Sequence, residues 1–315
     1  MSGIDEMKAI YDDITIPEEL DSVVKNAIRK AGITMRNKKR KTGYLKGLGS
    51  VAAALLIFAA ALNASPTFAN SVKQLPGGET VVRLLTFVED TAAGGEITDG
   101  QDIKRVQAER RGSLELLTID LYSNMDEFRQ GTEPSDTAGY FTVTHKTHPY
   151  SIEVFVGGVR GFSAAQSFPD LSKMKLLGDI YRIVTFDDSA HRFVVTFRKP
   201  VTVEVSEQQR PARIILKVLE DKEVEQLAPM YSLRTASFPF GADSGTAEEM
   251  LRGELGSENA RQLRDKNGLY LAEEGLYPTR AEAEARMAEI ALNDYFTYEL
   301  HIEKREPGSV PEPIE

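Results

Sequence analysis

The run Gly47 to Ala64 (GLGSVAAALLIFAAALNA) holds eighteen residues without a single charge, and Arg36, Lys38, Lys39, Arg40, Lys41 and Lys46 crowd its N-terminal side. At about 1.5 Å of helical rise per residue it reaches roughly 27 Å, against a hydrocarbon core of about 30 Å, so it is expected to cross a membrane once as a helix. Basic residues close to a span stay in the cytoplasm. Upstream these are Arg29, Lys30 and the cluster just named, whereas Ser65 to Leu85 offers Lys73 and Arg83. The expected arrangement is a short N-terminal piece in the cytoplasm and a large extracytoplasmic C-terminal piece. A second reading is a signal peptide, with Thr67-Phe68-Ala69 as a small-x-small cleavage site after the Ser65-Pro66 turn. Against it stands the late start of the run, since such peptides occupy about the first 15 to 30 residues. A buried core helix does not fit the flanking charge asymmetry.

The formal charge of -10 is unevenly divided. Residues 1 to 65 hold ten Lys and Arg against seven Asp and Glu, which leaves the remainder at -13. An acidic body repels nucleic acid and attracts cationic ligands, so no direct nucleic-acid role is expected. There is no Cys. Disulfides, thiolate zinc sites and a cysteine nucleophile are thereby excluded, and the body must be held together by its core.

The expected fold class is α+β, in six segments. Residues 1–46 are cytoplasmic, and Pro17 with Glu18 and Glu19 fits the first turn of a helix. Leu20, Val23, Val24, Ala27, Ile28 and Ala31 then form one apolar stripe that ends at Gly32. An isolated helix of this length is marginal in water, so the stripe is expected to pack on another protein. Residues 47–64 are the span, and 65–112 a juxtamembrane stalk and linker with turn signals at Pro76-Gly77-Gly78 and Gly94-Gly95. From Leu114 the period changes to two, and seven strands follow: 114–122, 140–144, 150–156, 180–186, 192–197, 201–205 and 213–218. They predict an antiparallel β-sandwich over 113–222. Residues 223–305 read as a small α+β domain, with strands at 231–238, 268–272 and 295–302, a helix over 246–263, and another over 279–290 capped by Thr279. The turn-rich tail 306–315 is expected to be disordered.

Chemistry is sparse. His145 and His148 are three apart at a strand end, and two His without Cys make a poor metal site. Asp187, Asp188 and His191 fall in a turn, where Asp serves backbone hydrogen bonding more readily than acid–base work. His301 reads as a solvated strand residue. Gly157-Gly158-Val159-Arg160-Gly161 follows a strand but opens no helix, so it reads as a bulge or hairpin. No phosphate loop, nucleophile elbow or pair of carboxylates framed by apolar sequence is recognised. No catalytic residue, metal or cofactor is expected, and the chain is not read as an enzyme.

Tyr11-Asp12-Asp13-Ile14-Thr15-Ile16-Pro17-Glu18-Glu19-Leu20-Asp21, the basic cluster, the span, Asn63-Ala64-Ser65-Pro66-Thr67-Phe68-Ala69 and Val82-Arg83-Leu84-Leu85-Thr86-Phe87 follow one another in an order that resembles membrane-bound anti-sigma factors of Gram-positive bacteria, the sigma-V type above all. The likeness covers about residues 8 to 90. It implies that Pro17, Leu20, Val23, Val24, Ala27 and Ile28 bind an extracytoplasmic-function sigma factor. It further implies release by regulated proteolysis, with signal peptidase cutting first at a latent site containing Thr67 and Ala69 and an intramembrane protease cutting second. Anchor and signal peptide would then be successive states.

Beyond residue 110 the likeness ends, so the inducing ligand is not carried over. Residues 192–205 and 211–218 are similar to sandwich modules that precede cell-wall amidases, and 232–240 with 269–284 to a glycan-binding sporulation-related repeat. Both imply a peptidoglycan partner, and the acidic body allows a cationic envelope ligand instead. The alternative function is therefore a membrane-anchored cell-wall binding protein without enzymatic activity.

Overall fold

The computed structural model describes residues 82–123, 132–223 and 227–314. They all lie within Ser65–Glu315, one of two units into which the chain divides.

Two sheets make the sandwich. The first runs, in spatial order, β1 (Val82–Leu85), β11 (Val201–Gln208), β12 (Arg213–Glu220), β4 (Leu114–Ser123), β3 (Gln101–Arg111) and β8 (Val159–Gly161), with β5 (Glu133–Pro134) beside β4. The second runs β2 (Thr91–Gly94), β6 (Phe141–Thr147), β7 (Tyr150–Gly157), β10 (Ala190–Phe197) and β9 (Leu177–Ile183). Pairing is antiparallel apart from β3 with β8. Strand alternation sends Leu117, Ile119, Leu121, Ile214, Leu216 and Val218 inward from one sheet, and Val143, Ile152, Val154, Phe193 and Val195 inward from the other. The chain changes sheets between β7 and β8 at Gly158, whose φ is +70°. A Cβ there would lie 2.3 Å from the Thr98 carbonyl oxygen, so the left-handed conformation and the close approach both require glycine.

A third sheet, ordered β14 (Arg261–Arg264), β15 (Tyr270–Tyr277), β13 (Met230–Thr235) and β16 (Leu300–Arg305), carries helices α1 (Ala242–Gly253) and α2 (Arg280–Ile290). Leu233 and Ala272 of this sheet pack with Ala247 and Leu251 of α1 and Ile290 of α2. Thr279 caps α2 by accepting the Glu282 amide hydrogen.

This third layer covers the outer face of the second sheet. Tyr181, Ile183 and Val194 pack there with Tyr270. The second sheet is thus buried on both faces, which explains why Phe193-Val-Val-Thr-Phe197 is continuously buried rather than alternating.

Several expectations are corrected. Of the described residues 49% lie in strands and 12% in helices, so the class is mainly β rather than α+β. The sandwich component fits. Among the described residues no helix is long and apolar enough to cross a membrane. The expected cytoplasmic helix and the span Gly47–Ala64 lie outside the described residues. The stretch taken as stalk and linker supplies three strands from Val82 onward. The helix expected over 246–263 ends at Gly253, because Gly256 turns the chain with φ +63° and Arg261–Arg264 pairs as β14.

Nor is the tail disordered through residue 314. The Ser237 amide donates to the Ile314 carbonyl at 2.8 Å, the Lys266 amide to Pro311 at 3.0 Å, and Arg234 Nη1 to Glu312 at 2.7 Å. Deleting Pro307–Glu315 should therefore lower the unfolding free energy of the chain by about 3 kcal/mol, near 1 kcal/mol for each hydrogen bond lost. Urea denaturation checks this, and a loss under about 0.5 kcal/mol would contradict the docked tail.

Candidate functional site

The face of the third sheet turned away from α1 and α2 is lined with charge. Arg234, Arg261, Glu273 and Arg305 are buried there with Ser232, and Glu303 is nearly so. Burying charge demands partners, and each is supplied. Arg261 Nε donates to Glu273 Oε1 at 2.7 Å, and Arg305 binds the other Glu273 oxygen. Ser232 donates to Glu273 Oε2 at 2.6 Å, while Arg234 Nη1 and Arg305 Nη2 each reach Glu303 Oε2 at 3.0 Å. Burial alone would raise the Glu273 pKa, but Arg261 and Arg305 overcome it and hold the carboxyl below its ordinary range.

Three guanidiniums face two carboxylates in this knot, and backbone carbonyls take up further donors, while Arg305 Nε is buried without a hydrogen-bond partner among the described residues. One of these carbonyls belongs to the sandwich: the His148 oxygen accepts from both Arg261 and Arg305. A second ionic cluster joins the layers through Arg192 of β10, which donates to Glu153 at 3.2 Å and to Glu248 of α1 at 2.9 Å. Gln262 completes it by exchanging two hydrogen bonds with the Val184 backbone, at 2.9 and 3.1 Å.

Beside the knot lies a cleft of about 220 Å³. It exists because β2 is short. Thr91 pairs with Thr144 and the Asp90 carbonyl accepts the His145 amide hydrogen, after which β6 continues without a neighbour on that side. His145 and Lys146 line one wall, with Asp90 at the rim; Asn259, Arg261 and Leu276 face them. Burial lowers the pKa of His145, an effect that Asp90 opposes. It also lowers that of Lys146, with Arg261 adding to the shift.

The other sequence candidates are separated from this cleft or structurally engaged. His148 is buried; its Nε2 donates to the Ala228 carbonyl at 3.1 Å and its Nδ1 accepts from Thr147 Oγ1 at 2.9 Å, so neither nitrogen is available to a ligand. Asp187 accepts from the Ser189 amide and hydroxyl at 2.8 and 2.7 Å in a local turn, and His191 stacks against Phe162 instead of pairing with it. His301 is half-buried on β16. Among the described residues no three His, Asp or Glu side chains are placed to hold a metal. Pro17, Leu20, Val23, Val24, Ala27, Ile28, the basic cluster Arg36, Lys38, Lys39, Arg40, Lys41 and Lys46, and the cleavage residues Thr67 and Ala69 lie outside the described residues.

The sequence does contain a pair of carboxylates framed by apolar residues: Glu273-Glu274 within Leu-Ala-Glu-Glu-Gly-Leu, which the sequence reading passed over. Strand alternation sends the two to opposite faces of the sheet, and Glu274 is the extra residue of a β-bulge opposite Leu233 and Arg234. Glu273 enters the knot, and Glu274 accepts from Ser257 at 2.7 Å and from Arg286 of α2 at 2.9 Å. Both are structural ions.

No protein-family model matches the chain, and no curated protein or solved structure does so either.

His145, His148 and His191 have pKa values lowered by burial, so the native state holds fewer protons than the unfolded chain below the ordinary value of 6.5. Their contribution to stability is complete above about pH 6.5 and is lost as the pH falls from there; Glu273, depressed from 4.5, adds a further loss in stronger acid. The urea midpoint should accordingly fall between pH 7 and 5.5 and more steeply below 4.5. Glu273→Gln should cost about 3 to 5 kcal/mol at pH 7, because it leaves Arg261 and Arg305 buried beside an uncharged group. A flat profile, or a variant as stable as the parent, would contradict this assignment.

Proposed function

We propose that the chain is an anti-sigma factor held at the cell membrane, its N-terminal segment in the cytoplasm and its β-rich body outside. Residues 1–46 sequester an extracytoplasmic-function sigma factor through Pro17 and the Leu20, Val23, Val24, Ala27 and Ile28 stripe. An envelope signal then triggers proteolysis by signal peptidase and an intramembrane protease, which frees the sigma factor. The observation that carries this reading is the order of segments in the sequence: a Pro-capped amphipathic stripe, a basic cluster, an uncharged run and a small-x-small site. The body supports it in one respect, since a sandwich and a helical layer joined by the Arg192–Glu248 ion pair and by the Arg261 and Arg305 hydrogen bonds to the His148 carbonyl form a stiff receiver for a ligand. The reading assigns no catalytic residue.

Affinity for the sigma factor comes mainly from apolar burial, roughly 1.5 to 3 kcal/mol for each large side chain fully covered. Val24→Asp should abolish co-purification with the sigma factor and switch on its dependent promoter. Unchanged transcription, together with retention of the chain on purified peptidoglycan, would favour a wall-binding anchor instead.

A further inference from the structure

The cleft beside the knot contains two unlike charges that do not meet. Lys146 is half-buried, and among the described residues its ammonium makes no ion pair or hydrogen bond. Asp90 and Glu153 act on it through space without forming an ion pair. The Asp90 carboxylate stands at the rim of the same cleft and likewise makes no ion pair or side-chain hydrogen bond among the described residues. By contrast Arg261 and Glu273, which close the floor, are fully engaged with each other. The opposite wall presents Asn259, an exposed side-chain amide with both donor and acceptor capacity.

We propose that this cleft binds a small dipolar ligand, an amino acid or short peptide, whose carboxylate is received by Lys146 and whose ammonium is received by Asp90. Such a molecule carries the reverse of the dipole that the two side chains leave open. Asn259 then meets a backbone amide of the ligand. The size of the cleft limits the occupant to about one or two residues, below the usual span of ligand pockets. Binding belongs to the body by itself, so failure of this inference and failure of the sigma-factor reading are separate results.

The test is isothermal titration of the full chain with L-alanyl-L-alanine and D-alanyl-D-alanine, each also in its N-acetylated and its C-amidated form. At least one free dipeptide should bind, and either blocked form of it should bind about tenfold more weakly, as expected when one charge contact is lost. Lys146→Met keeps the aliphatic stem and should remove the penalty for C-amidation while leaving that for N-acetylation; Asp90→Asn should do the reverse. Unchanged urea midpoints would show that both variants are folded. The proposal is overturned if neither dipeptide binds at millimolar concentration, if the blocked forms bind equally well, or if a folded Lys146→Met protein still prefers the free carboxylate.

Discussion

Glu273 is the residue on which the arrangement of the body turns. It is buried, and it is the shared acceptor for Arg261 of β14 and Arg305 of β16, both of which also donate to the His148 carbonyl of the β6–β7 hairpin. Through one carboxylate and one carbonyl, the two edge strands of the third sheet are tied to the sandwich. A buried ion pair gives modest net stability when compared with an apolar replacement, but losing one member is costly because the other remains in a poor solvent. The knot therefore fixes which surface of the third sheet meets the sandwich more than it adds to total stability.

The remaining features follow from that docking. The outer face of the second sheet is covered, so β10 is apolar on both sides and Arg192 must find Glu153 and Glu248. The tail is drawn into the same network: Arg234 donates to the Glu312 carbonyl, and Glu303 accepts the Glu312 amide hydrogen at 2.9 Å. Gly308 then passes against Tyr150 with φ +73°, in a gap where a Cβ would come within 2.6 Å of the ring. Where the short β2 stops, the sandwich and third sheet leave the cleft of Lys146 and Asp90 open.

Much of the sandwich could be read from period-two alternation: β4, β6, β7, β10, β11 and β12 coincide with expected segments, and β9 overlaps one shifted by three residues. The Thr279 cap of α2 was equally legible. β3 was not, because a bulge between Ile103 and Arg105 places its buried Ile103 and Val106 three apart, and the rest of the strand is charged or polar apart from Ala108. The knot was hidden for a related reason. Ser232-Leu-Arg234 and Leu300-His-Ile-Glu303 alternate polar with apolar, which ordinarily marks a solvent face, and it is the His148 hairpin and the C-terminal tail that make this face interior. The cleft was half visible: His145 stood out as a histidine, but its partner across the cleft is contributed by residues more than a hundred positions away. The segments on which the sigma-factor reading rests are outside the described residues, so that reading stands on sequence order.

Native-state hydrogen exchange on the full chain tests the central claim most directly, by comparing central amides of β7 and β10 with those of β13 and β15. If the Glu273 knot makes the sandwich and the third sheet one cooperative body, both groups open with the same free energy, and Glu273→Gln lowers the value for β13 and β15 below that for β7 and β10. Independent opening free energies in the unaltered chain, insensitive to that substitution, would contradict it.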